Sequence, residues 1–145
     1  MEEHQEHKSE EPTGPQEPMR PVTGGPETST GLDPKVAALL AYLFGWVGGL
    51  IIYLVETKNK YARFHALQSI FLNVAVIVVY IALGIVFGIV GAVPGLGLAM
   101  FGLASLIYSV LGLGVLVLWI FLMVKAYQGE KYMLPVIGEM ADRSA

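Results

Sequence analysis

Residues 70–124 read IFLNVAVIVVYIALGIVFGIVGAVPGLGLAMFGLASLIYSVLGLGVLVLWIFLMV, without one charged side chain. A helix needs about 20 apolar residues to cross a bilayer, so this stretch is too long for one crossing and comfortable for two. The break falls at Gly91-Ala-Val-Pro94-Gly95-Leu-Gly97, where proline removes a backbone donor and the glycines permit turn geometry. This predicts helices over about 70–90 and 98–124. Upstream, residues 36–55 (VAALLAYLFGWVGGLIIYLV) are also uncharged. As a helix they measure about 30 Å, the thickness of the hydrocarbon core. The expected fold is therefore an all-α integral membrane protein with three transmembrane helices.

Composition agrees: 54% of the 145 residues are hydrophobic and 14% are charged. A water-soluble fold with that balance would lack polar surface to cover its core. The absence of cysteine removes disulfides, thiolate metal sites and thiol catalysis. Residues 1–34 differ sharply, with eight acids, two bases and six of the eight prolines. They read as a disordered, solvated tail ahead of a membrane domain over 35–145. The acidic start and late apolar segment do not fit a cleaved signal peptide, so residues 36–55 read as a retained anchor.

Basic residues assign an orientation. Lys58, Lys60 and Arg63 fall between the first two expected helices, and Lys125, Lys131 and Arg143 follow the third. Three crossings put the first loop and the C-terminus in the cytoplasm and the acidic tail outside, in a bacterial cytoplasmic membrane. The bilayer is the first expected partner; a homo-oligomer or other membrane proteins come next, because small residues recur at four-residue spacing. Ala41, Gly45 and Gly49 lie on the first helix, Gly84 and Gly88 on the second, and Gly102, Ser105 and Ser109 on the third. Such faces permit close helix approach in lipid, although glycine is also simply common in membrane helices.

The most informative polar stretch is Glu56 to Ser69. Tyr61, Phe64, Leu67 and Phe71 recur about once per turn, which predicts an interfacial helical start at 60–69. Glu56 and Lys60 are spaced for a helical ion pair. Arg63, His65, Gln68 and Asn73 are the candidate functional positions, with Ser69 on the same strip. One reading makes His65 a proton-responsive or ligand-contacting group. The plainer reading, which is preferred, has His65, Gln68 and Asn73 in interhelical hydrogen bonds and Arg63 reaching phosphates. No Asp or Glu lies between Lys58 and Gly129, which argues against proton-coupled transport.

No catalytic, cofactor or metal site is expected. His4 and His7 sit beside Glu3 and Glu6, but in a solvated tail without fixed geometry. Phosphate-binding and zinc-helix motifs do not occur, and Ser105 and Ser109 have no base nearby in sequence. Trp46, Trp119, Tyr42, Tyr53 and Tyr127 read as interface anchors or bundle filler. The basic patches are short and adjoin the membrane, so no nucleic-acid partner is expected. Gly129 ends the third helix, and Pro135 opens a short amphipathic terminal segment.

Two stretches, Tyr61-Ala-Arg63-Phe64-His65-Ala66-Leu67-Gln68-Ser69 and Lys125-Ala126-Tyr127-Gln128-Gly129-Glu130-Lys131-Tyr132 through Leu134-Pro135-Val136-Ile137-Gly138, resemble a family of small bacterial multi-pass membrane proteins of unknown function. That family is similar to the Tic-type chloroplast protein-import component and to the magnetosome proteins MamF and MmsF. The likeness covers about Lys35 to Asp142. It implies no catalytic residue. It implies a non-enzymatic interaction or assembly component in a membrane, with a transport or protein-translocation component as the alternative.

Overall fold

The computed structural model describes residues 27–145, so the expected tail up to residue 26, with His4 and His7, lies outside the described residues. Five helices follow in order: α1 Pro34–Leu43, α2 Gly45–Val55, α3 Lys60–Gly91, α4 Gly97–Gln128 and α5 Ile137–Ser144. No strand occurs among the described residues.

The first expected helix is the principal correction. Residues 36–55 do not form one rod, because Gly45 takes φ +59, a left-handed conformation that breaks the ladder. α1 starts on an Asp33 cap, whose side chain accepts from Lys35 N at 2.8 Å, with Pro34 in the first turn. It ends at Phe44, and α2 folds back beside it. A Cβ on Gly48 would lie 2.6 Å from the Leu40 carbonyl oxygen, and one on Gly49 would lie 2.7 Å from that of Ala66. Only glycine permits both approaches. Ile52 on α2 packs in one cluster with Ala37 and Ala41 on α1 and Ala62 and Ala66 on α3. At the open end of the hairpin, Ser29 before α1 meets Glu56 and Thr57 after α2.

α3 is one continuous helix of 32 residues, joining the expected interfacial start at 60–69 to the expected span at 70–90. Asn59 caps it by accepting from Ala62 N at 3.0 Å. Glu56 consequently precedes the helix, and its predicted helical pairing with Lys60 is replaced by bonds to backbone N–H groups. α4 also has 32 residues, running to Gln128 rather than 124. It ends on Gly129 at φ +83, with Gly129 N donating to Ala126 O and Glu130 N to Lys125 O. α3 and α4 are long and apolar enough to cross a membrane; α1 and α2 are short apolar helices. The chain returns through Leu134 to α5, whose Ala141 packs with Phe64 and Leu67.

Burial divides the molecule into two zones. The buried residues fall between Ala37 and Leu72 and between Leu122 and Ala141; none lies from Asn73 to Phe121. A packed end built from α1, α2, α5, the start of α3 and the end of α4 thus carries a two-helix extension without a core. Ser29, Glu56, Arg63, Tyr132 and Ala145 all join hydrogen bonds at the packed end. The segment leading into α1 and the C-terminal segment are therefore at one end of the molecule, not at opposite ends as three crossings would require.

Candidate functional site

The packed end holds two polar clusters. The first closes the base of the α1–α2 hairpin. The Glu56 carboxylate accepts from Ser29 N at 2.9 Å through both oxygens, and from Lys58 N at 3.0 Å and Asn59 N at 2.9 Å. Burial opposes ionisation of Glu56, but the Ser29, Asn59 and Lys58 backbone bonds and the Ser29 hydroxyl outweigh it and hold the carboxyl at about 2. Arg63 completes this cluster. Its guanidinium donates to Glu56 O at 2.9 Å, Tyr53 O at 3.3 Å and Ala145 O at 3.2 Å, and lies 4.3 Å from the centre of the Tyr53 ring. Arg63 thereby ties the end of α2, the start of α3 and the end of α5 together, using donors that the sequence reading had aimed at phosphates.

The second cluster lies deeper, along one face of α3. His65 and Gln68 are fully buried. The His65 Nδ1 is 3.3 Å from the Tyr42 hydroxyl, and its ring meets Tyr61 and Phe64 edge-on at 4.6 and 5.0 Å. Gln68 donates to Tyr132 O at 3.0 Å, fastening the segment after α4. Among the described residues, no close hydrogen-bond partner reaches the buried His65 Nε2 or Gln68 Oε1. Above them, Ser69 donates to Gly45 O at 3.1 Å, Asn73 donates to Ser69 O at 2.9 Å, and Trp119 donates to Tyr42 O at 2.9 Å. The Ser69 and Trp119 bonds thus fasten the turn between α1 and α2 to α3 and α4.

Beside the break opens an apolar cleft of about 520 Å³, lined by Phe44, Gly45, Asn73, Tyr80, Gly112 and Trp119 among others. Asn73 is the polar residue of the expected strip that reaches it.

The four expected positions thus come together at one end, but divide their work: Arg63 belongs to the hairpin base, His65 and Gln68 to the buried core, and Asn73 to the cleft. Of the expected packing residues, Ala41 is buried in the cluster joining α1, α2 and α3, and Gly49 is buried against α3 at Ala66. Gly45 instead supplies the break. Gly84 faces the Tyr108 hydroxyl, and a Cβ on Gly88 or Gly102 would meet nothing within 4 Å. Ser105 and Ser109 are exposed and donate to their own helix, at Phe101 O and Ser105 O. α3 and α4 meet through the stacked Tyr80 and Tyr108 rings, 5.2 Å apart, with the Tyr108 hydroxyl donating to Tyr80 O.

Sequence reasoning missed Tyr42, Glu56 and Trp119 as cluster members. The isolated acid in Glu56-Thr-Lys58-Asn59, between two apolar stretches, was the available signal for Glu56. Tyr42 and Trp119 have no local signal, since their partners lie 23 and 77 residues away.

Comparison with known proteins gives the chain its relatives. Two UPF0132 membrane proteins of Methanocaldococcus jannaschii are similar to it. One is 36% identical over 78% of this chain and 71% of its own length. The other is 38% identical over 81% of this chain and 93% of its own. A UPF0132 membrane protein of Archaeoglobus fulgidus is 31% identical over 77% and 95%. No solved structure matches the chain. The relatives' names and the two long apolar helices both fit a membrane location. These relatives are archaeal, whereas the resemblance read from the sequence was to a bacterial family. Residues 32–141 match the family model described as the magnetosome magnetite crystal formation protein family, and the chain belongs to that family.

Proposed function

We propose that this protein is a non-enzymatic assembly component of the cytoplasmic membrane, crossing it twice through α3 and α4. The α1–α2 hairpin enters and leaves on one side, and the acidic tail and the C-terminus share the cytoplasmic side. The observation that carries this reading is the absence of any buried residue from Asn73 to Phe121. Two apolar helices of that length need lipid or other helices around them. The open small-residue positions Gly88 and Gly102 and the exposed Ser105 and Ser109 offer close approach to a neighbouring helix. Charge supports the orientation: every Lys and Arg from Lys35 onward lies outside residues 64–124, at the packed end.

The polar strip favours assembly over transport. Its buried members are engaged with Tyr42, Tyr132 and Gly45, and it stops at Asn73, so no polar path continues along α3. The Tyr42 hydroxyl beside the His65 imidazole is fully buried, so that pair meets no substrate.

The native chain lacks cysteine, so single cysteines report cleanly. Gly88→Cys and Ser105→Cys, oxidised in native membranes, should each give a disulfide-linked pair between copies or to another membrane protein. Exclusively monomeric product at both positions refutes the assembly reading. For topology, Ser9→Cys and Ser144→Cys should become accessible to a membrane-impermeant thiol reagent from the same side, with Val93→Cys reached from the other.

A further inference from the structure

We propose that the protein is a one-leaflet wedge: its α1–α2 hairpin fills only the leaflet next to the charged end, so that the molecule favours membrane curved convexly toward that end. This rests on the two-crossing reading above. α1 has 10 residues and α2 has 11. Each therefore measures about 15 Å, half the hydrocarbon thickness of a bilayer.

Depth can be placed along α3. The hairpin base is level with Asn59 and Lys60, through Glu56 and Arg63. Its tip is level with Ser69 and Asn73, because Ser69 donates to Gly45 O and a Cβ on Gly45 would touch the Asn73 amide. From Lys60 to Asn73 is about 20 Å of helix, and from Asn73 to Gly91 about 27 Å. The whole of α3, about 47 Å, spans a bilayer of about 40–45 Å with its headgroups at a modest tilt, and the tip falls close to the midplane.

What covers the hairpin is lipid. α2 exposes Trp46, Val47, Leu50, Ile51, Leu54 and Val55, while its Gly48, Gly49 and Ile52 face the protein. That apolar face is continuous in depth with the apolar exterior that begins at Val74 on α3. It is bounded at the base by Lys58 and Lys60, which make no ion pair among the described residues and stand at headgroup level. An apolar face of this extent belongs in hydrocarbon, and cations at its rim belong among phosphates.

The consequence is a difference in cross-section. On the charged side the bilayer holds four helices, α1 to α4; beyond Asn73 it holds two. With helices about 10 Å across, the protein occupies roughly twice the area in one leaflet that it does in the other. A protein that inserts more favourably where the near leaflet is expanded shifts its own distribution toward such membrane, and equally bends flat membrane that way.

The full chain, carrying a fluorophore on Ser144→Cys, is reconstituted into phosphatidylcholine vesicles containing phosphatidylglycerol, and its density per membrane area is read vesicle by vesicle. Molecules with the charged end outward should be about threefold denser on the smallest vesicles than on the largest, and those facing inward should show the reverse trend. The double variant Leu50→Gln/Leu54→Gln, which makes the exposed face of α2 polar, should flatten the dependence while circular dichroism shows unchanged helix content. A wild-type density independent of vesicle size overturns the wedge, as does a disulfide between two Leu54→Cys copies in the membrane, which would mean that a second copy covers α2. If instead the tail and C-terminus label from opposite sides, the two-crossing reading itself fails, an outcome separable from a flat density with both ends on one side.

Discussion

His65 shows how a polar residue in an apolar helix can be structural. Its ring is enclosed by Tyr42, Tyr61 and Phe64, with Nδ1 3.3 Å from the Tyr42 hydroxyl. A phenyl ring fills similar space but takes the imidazole partner away from the buried Tyr42 hydroxyl. His65→Phe is therefore expected to cost about 1–2 kcal/mol of thermal stability in detergent, whereas His65→Ala, which adds a cavity, should lose about 2–4 kcal/mol. If Phe proves as damaging as Ala, the imidazole has a role that packing does not explain. Glu56 gives the opposite case, a buried charge that is fully used. Its carboxyl sits at about 2 in the folded protein against 4.5 unperturbed. A depressed carboxyl contributes stability that is complete above the unfolded value and fades as pH falls through the folded one. The unfolding midpoint should therefore drop between about pH 4.5 and pH 2, and Glu56→Gln, destabilised by about 1–3 kcal/mol at neutral pH, should lose most of that dependence.

At the scale of the element, the first apolar segment separates what sequence carries from what it does not. Hydropathy over residues 36–55 is the same whether the chain runs straight or doubles back, because it counts side chains and not direction. The break had a local signature in Phe44-Gly45-Trp46-Val47-Gly48-Gly49, but glycines at four-residue spacing also describe a face for helix packing. Gly49 is such a position and Gly45 is not; only the backbone distinguishes them. α3, α4 and the Gly129 stop were legible because uncharged length and a glycine after the last basic turn are strong local signals. The strip of His65, Gln68 and Asn73 was legible as a polar face, but of the interhelical bonds expected for it only His65 to Tyr42 joins two helices, while Gln68 meets the segment after α4 and Asn73 bonds its own helix. Gly49→Ala, whose new methyl must displace the Ala66 carbonyl, should cost about 1–3 kcal/mol. Gly88→Ala, with open space around it, should leave the stability of the single chain unchanged and alter only its association. Equal losses for the two would mean that the hairpin is not seated on α3 as described.

At the scale of the whole molecule, the remaining question is where the bilayer plane cuts it, and the two tryptophans answer it. Trp46 is 52% exposed near the hairpin tip, while Trp119 is half-buried and holds Tyr42 O. Both lie at the level at which the packed end gives way to the two-helix extension. If the hairpin is immersed, Trp46 stands close to the bilayer midplane in contact with acyl chains. If the packed end instead sits outside the bilayer, Trp46 is at or above the headgroups and the apolar face of α2 would be left in water, at the full cost of exposing it. Lipids brominated at successive acyl positions distinguish these arrangements in single-tryptophan variants. With Trp119→Phe, the fluorescence of Trp46 should be quenched most by bromines near the chain ends. With Trp46→Phe, Trp119 should show the same depth optimum but weaker quenching, because Leu118 and Leu122 beside it join the cluster around Tyr42 and Ala126 that screens the indole. Strongest quenching of Trp46 by the shallowest bromines would place the packed end outside the hydrocarbon and remove the physical reason for the hairpin's apolar face.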